Sequence, residues 1–200
     1  MKTLLHVGCG PAKKEQTTQG FNTSAWKELR LDINPDVQPD IIGTMTNMSA
    51  VEDASVDAIF SSHNIEHLYP HEVPVALKEF LRVLKPDGFL VITCPDLKSV
   101  AKLIVEDKLF DVAYVSPAGP IAPIDILYGH RPQLAKGNLY MAHRCGFTLN
   151  ALAGSLQGSG FKSIACIARG APFFDLWAIA SKDEKMKTEM EAQVREHFPG

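Results

Sequence analysis

The chain has 200 residues, a formal net charge of −3, 46% hydrophobic residues and 22% charged residues. That size suits a single domain that buries its core without staples, and the charge leaves no basic footprint for a nucleic acid. No apolar run reaches the roughly 18 residues of a membrane span.

Residues 1–7 are too short and too quickly followed by glycine to be a secretory leader, so a cytoplasmic protein is expected, with no membrane partner. The cysteines, Cys9, Cys94, Cys145 and Cys166, have no zinc-knuckle or redox spacing and read as reduced, mostly buried thiols. Residues 4–7 are a short apolar strand that ends in Gly8-Cys9-Gly10-Pro11. Glycines there let the backbone approach a ligand and turn sharply into a helix. Residues 27–33 form a second strand with Asp32 at its end, 40–42 a brief third and 56–61 a fourth. Residues 71–84 place Val73, Leu77, Phe80, Leu81 and Leu84 on one helical face. Lys85-Pro86-Asp87-Gly88 should be a turn, and 89–93 a central parallel strand, apolar throughout.

Residues 97–110 read as a helix. Pro117, Pro120, Pro123, Gly129, Pro132 and Gly137 then punctuate an irregular stretch, about 114–147. A loop that long inside a domain is usually functional or mobile. Residues 148–159 are helical and stop at Gly160. Residues 161–168 and 173–180 are two strands with a short link, so one should run antiparallel to the rest. A charged helix at about 182–198, with Met186, Met190 and Val194 at helical spacing, closes a single domain over 1–200.

The segment LHVGCGP (5–11), followed by Asp32 at the separation expected of a ribose-binding carboxylate, resembles the first loop of the class I methyltransferases. DIIGTM (40–45), SVDAIFSSHNIEHL (55–68), LRVLKPDG (81–88) and the closing Gly160-Phe161 with two strands are similar, in order, to the type 11 methyltransferase family. The resemblance runs through residue 180. It implies a Rossmann-like α/β three-layer sandwich whose seven-stranded sheet is mostly parallel, with one antiparallel strand. It implies S-adenosylmethionine as cofactor, S-adenosylhomocysteine as product, and a small-molecule acceptor. His6, Gly8, Cys9, Gly10, Asp32, Ile33, Thr44, Met45, Ser62 and His63 would then bind the cofactor. Asp32 would take the ribose, Ile33 would flank the adenine, and Thr44 and Met45 would line its pocket.

The chain departs from the family pattern at His6, usually acidic, at Ala12, usually glycine, and at Thr44, commonly a carboxylate. It also begins directly on the first strand, so the 114–147 stretch or a partner subunit would cover the cofactor. Lys13 stands where a dinucleotide fingerprint needs its last glycine, which argues against NAD.

His63-Asn64-Ile65-Glu66-His67 matches the His-x-x-Glu-His spacing of inverted zinc peptidases. There the motif lies within a helix; here it follows an apolar strand, and no metal is expected. For a hydroxyl acceptor, His63 and His143 are the candidate bases. The resemblance puts His130, Arg131 and Arg144 on the substrate side; His130 reads first as a surface or loop-stabilising histidine, and the arginines either bind an anionic substrate group or are solvated. The alternative is a non-catalytic binding or assembly module, and a homodimer is compatible with the methionine stripe.

Overall fold

The computed structural model describes residues 1–199. In chain order the elements are β1 (Lys2–Val7), β2 (Trp26–Asp32), β3 (Ile41–Ile42), β4 (Val56–Ser62), α1 (Val73–Val83), β5 (Leu84–Pro95) and α2 (Leu97–Val105). Then come β6 (Tyr114–Ser116), β7 (Gly119–Ile121), α3 (Pro123–Tyr128), α4 (Arg131–Ala135), α5 (Leu149–Ser159), β8 (Ser163–Arg169), β9 (Asp175–Ser181) and α6 (Lys187–His197). The main sheet has seven strands in the order β3-β2-β1-β4-β5-β9-β8. Its pairs are parallel from β3 to β5, and β9 is antiparallel to both β5 and β8. The order reverses between β1 and β4, the crevice where open α/β sheets bind ligands at the strands' carboxyl ends.

Alternation along each strand sends successive side chains to opposite faces. Leu5, Val7, Ile59, Leu90 and Ile92 pack on one face with Leu77 and Phe80 of α1 and Leu152 and Leu156 of α5. Leu4, Phe60, Phe89 and Val91 pack on the other with Phe21, Trp26 and, from α6, Met190 and Val194. These are the three layers the resemblance implies. α1 forms because Val73, Ala76, Leu77, Phe80 and Val83 recur at helical spacing and are all buried. α5 starts at Thr148, whose side chain accepts from Ala151 N, and ends at Gly160 in the left-handed region.

Several expectations are corrected. The glycine loop does not lead into an α-helix; a single 3-10 turn, Lys14–Gln16, follows it. Residues 17–25 fold back and bury Phe21 instead. Residues 85–88 lie within β5 as a bulge, since Val56 pairs with Leu84 but Ala58 pairs with Phe89. The helix after Pro95 ends at Val105, and Asp107 adopts a positive φ of 58°. The 114–147 stretch is less irregular than its prolines suggest. It holds the β6–β7 hairpin, α3 and α4, and Ile121 and Ile126 share a small core with Val100 and Phe174. The methionine stripe splits: Met190 packs against the core while Met186 is exposed. No helix among the described residues is long and apolar enough to cross a membrane.

His197 anchors α6. Its ring is 2% exposed, lies 4.3 Å from the Phe21 ring, and its Nδ1 is 2.6 Å from Thr18 Oγ1. Burial pushes its pKa down to about 4. The unfolded imidazole titrates near 6.5, so between these values the unfolded chain binds a proton that the folded one refuses. Stability is therefore full above about pH 6.5 and falls as pH drops toward the folded value. We expect a loss of about 2.5 kcal/mol from this residue by pH 4.5. Urea denaturation at pH 7 and pH 4.5 should show that component in the wild type and not in His197→Gln.

Candidate functional site

The site lies where β1, β2 and β4 end. Gly8 and Gly10 take positive φ values of 64° and 51°, so the chain turns back at the tip of β1. Asp32, at the end of β2 and 9% exposed, holds that turn. Its Oδ2 accepts from Gly10 N at 2.7 Å and its Oδ1 from Asn34 N at 2.9 Å. Each carboxylate oxygen keeps a further lone pair for a ligand. Arg30, two residues earlier, donates to the carbonyls of Gly10, Ala12, Val37 and Gln38, and so ties the glycine loop to the loop after β2.

Beyond β4 the chain enters His63 at a φ of 53°, in the left-handed region that few non-glycine residues adopt. Asn64 follows and braces the turn, donating from Nδ2 to Val7 O at 3.0 Å and to Ser62 O at 2.9 Å. A Cβ on Gly8 would meet the Asn64 side chain at 2.2 Å. Asn64 is held by those carbonyls, and alanine is also disfavoured at this φ. Gly8→Ala should therefore destabilise the fold by about 2 kcal/mol and weaken ligand binding at least ~10-fold. Thermal melts and calorimetry on the same preparation would check both.

Two cavities meet here. The larger, about 510 Å³, is a cleft lined by Gly8, Gly10, Asp32, Ile33, Thr44, Met45, Ser62 and His63. Eight of the ten expected cofactor residues thus converge on one space. The other two do not. His6 is buried on the α6 side of the sheet, with Nδ1 2.8 Å from Glu28 Oε1 and its ring against Phe60. Burial lowers its pKa even with Glu28 beside it. Cys9 is also buried away from the cleft, and burial pushes its thiol up to about 11, so it packs and does not react. Strand alternation explains His6: Val7, on the opposite face, reaches the cleft in its place. Asn138, Tyr140, Met141 and Arg144 form the far wall, so the 114–147 region does cover the cleft.

The smaller cavity, about 150 Å³, shares His63, His67 and Met141 with the cleft. Its other walls include Glu66, Tyr114, Ile126, His130, His143 and Phe173. His143 faces only this cavity, while the half-exposed His63 borders both. Burial pulls the His63 pKa down, but Glu66, with Oε1 3.3 Å from His63 Nδ1, outweighs it and the net shift is upward. Burial lowers the pKa of His143. Arg131 is not a free anion binder: it forks onto Asp125, with Nε 2.6 Å from Oδ1 and Nη2 2.9 Å from Oδ2. Burial works against the Asp125 charge, yet Arg131 and two backbone N–H groups hold that carboxyl at about 2. Arg144 donates to His67 O at 3.0 Å and stacks over Tyr69, at the edge of the cleft.

Sequence reasoning missed Arg30, Asn64 and the wall from residues 138–141. Arg30 had only a weak signal, a charge between Leu29 and Leu31 in a strand that also carries Lys27, Glu28 and Asp32. The wall residues had none.

Residues 5–92 match the family model described as a methyltransferase domain. No curated protein matches the sequence. Among solved structures the chain resembles a SAM-dependent methyltransferase from Methanosarcina mazei, at 19% identity and a TM-score of 0.58, covering 92% of this chain and 93% of that one. It also resembles the 1,6-didemethyltoxoflavin-N1-methyltransferase of Burkholderia thailandensis, solved with its substrate and S-adenosylhomocysteine, at 14% identity and a TM-score of 0.57, covering 92% and 72%. A third likeness is to a possible exported protein from Bordetella parapertussis, at 15% identity and a TM-score of 0.58; the chain covers 62% of that protein's length and 92% of its own is matched. At these identities the likeness establishes the Rossmann-like methyltransferase fold.

Proposed function

We propose that this chain, whose residues 5–92 carry a methyltransferase domain, binds S-adenosylmethionine in the larger cleft and transfers its methyl group to a small molecule in the smaller cavity. The observation that carries the reading is the shared wall: His63 stands between a nucleoside-sized cleft anchored by Asp32 and a second, smaller cavity of about 150 Å³. The methyltransferase-domain match, with a second cavity opening beside the cleft, favours the enzyme reading over a non-catalytic module.

In this reading Asp32 accepts from the ribose hydroxyls, Ile33 lies against the adenine, and Thr44 and Met45 line the base pocket. Gly8 and Gly10 let the backbone pass close to the amino-acid end. The acceptor atom attacks the methyl carbon in line with sulfur. The new bond to the acceptor forms as the carbon–sulfur bond breaks, and the electron pair returns to sulfur as a neutral thioether. Most of the rate comes from holding acceptor and methyl carbon in line. A hydroxyl acceptor would also need a base, and His63, which faces both cavities, is better placed for it than His143.

Titration calorimetry with S-adenosylmethionine and S-adenosylhomocysteine tests the cofactor half. Micromolar binding of both is the expected result, and folded protein that binds neither would overturn the reading.

A further inference from the structure

Glu66 is 1% exposed; His63 Nδ1 stands 3.3 Å from its Oε1, yet neither carboxylate oxygen completes a hydrogen bond. It lines the smaller cavity, where a bare carboxylate is costly unless something positive or N–H-bearing meets it. Two imidazoles stand beside it. A ligating atom from each of Glu66, His67 and His143 falls within 4.8 Å of the others, and the two rings are 4.9 Å apart.

The histidines are oriented by backbone carbonyls. His67 Nδ1 lies 3.1 Å from Ala142 O, and His143 Nδ1 lies 2.7 Å from Ile126 O. A carbonyl only accepts, so Nδ1 carries the proton in each neutral ring and Nε2 is left as a lone pair. Such carbonyl-to-imidazole bonds are how proteins fix a histidine for a metal. The carbonyls themselves are fixed. Arg144 N and Cys145 N both donate to Glu66 O, which pins the 142–145 segment onto the Glu66–His67 turn. A buried carboxylate and two partly buried imidazoles therefore stand together, and none of the three supplies a proton to the others.

We infer that Glu66, His67 and His143 form a binding site for a divalent transition-metal ion, of the type of Zn²⁺ or Co²⁺. Two imidazoles and one carboxylate suit a borderline ion better than Mg²⁺ or Ca²⁺, which prefer all-oxygen shells. The ligating atoms need close by only about 1 Å to reach the usual bond lengths. Three protein ligands leave open positions, and these face the acceptor cavity, where an ion would lower the pKa of a coordinated hydroxyl or thiol. The sequence spacing His63-x-x-Glu66-His67 suggests different ligands, but His63 stands outside the triad and His143, 76 positions beyond His67 in the chain, takes its place. The site does not depend on the cofactor reading of the larger cleft.

The test is a titration of chelator-stripped full-length protein with Co²⁺, read by its visible absorption, and with Zn²⁺, read by calorimetry. One equivalent is expected for the wild type, with affinity lower by at least about 100-fold in His67→Ala and in His143→Ala. Glu66→Gln keeps the side chain's shape, so it should fold and still bind more weakly. Lys187→Ala, at an exposed position of α6, should bind the metal as the wild type does. Folded wild type that takes up no ion overturns the inference, as does uptake unchanged in the His67→Ala/His143→Ala double variant. Titration of the same sample with S-adenosylmethionine separates failure here from failure of the cofactor site.

Discussion

Asp32→Ala is expected to weaken S-adenosylmethionine at least ~100-fold, because each hydrogen bond to a carboxylate contributes about 1.5–3 kcal/mol and the proposed function gives this one two ribose hydroxyls. The loss has a second source. Asp32 also accepts from Gly10 N and Asn34 N, so its removal frees both loops that frame the cleft. Asp32→Asn tells the two apart. Its amide oxygen can still receive one backbone N–H, but its NH₂ group faces the other with a donor. Intermediate affinity in Asp32→Asn and near-complete loss in Asp32→Ala would assign the carboxylate both roles. Equal affinity in wild type and Asp32→Ala would remove the ribose from this position.

Phe21→Ala should cost about 3–5 kcal/mol of folding free energy. Phe21 is fully buried and holds the thin side of the sandwich together. Its ring meets Trp26 at 5.1 Å edge-on, Phe60 at 6.1 Å and Phe89 at 6.0 Å, and His197 of α6 lies on it. No α-helix between β1 and β2 shares that face, so the cavity left by the ring would undock α6 as well. Guanidinium denaturation measures the loss. A midpoint unchanged from the wild type would mean that α6 and the 17–25 segment collapse into the space. The variant's cleft lies on the strand ends, away from the cavity. Its cofactor affinity should therefore hold at temperatures where it remains folded.

The sequence by itself determined the sheet and the half of the site carried on strand ends. Short, largely apolar runs alternate with helical spacing through α1 and β5, and Gly8, Gly10 and Asp32 fall at strand ends. These features are local, because strand alternation, a glycine turn and an acidic residue at a strand end require only near neighbours. The same alternation puts His6 on the far face, so the misplacement of that residue is a question of face and not of register along the strand.

Only the tertiary structure decided the smaller cavity. Its walls come from residues 63–67, 95, 114–143 and 173–174, segments joined by no repeating pattern. The elements of the 114–147 region have three to six residues, too short for a hydrophobic period to show. They are held by packing Ile121 and Ile126 against Val100 and Phe174 and by backbone bonds from residues 144 and 145 to Glu66. The meeting of Glu66 and His67 with His143 follows from that packing. Its physical cause is long-range burial, which a chain reveals only when it has folded.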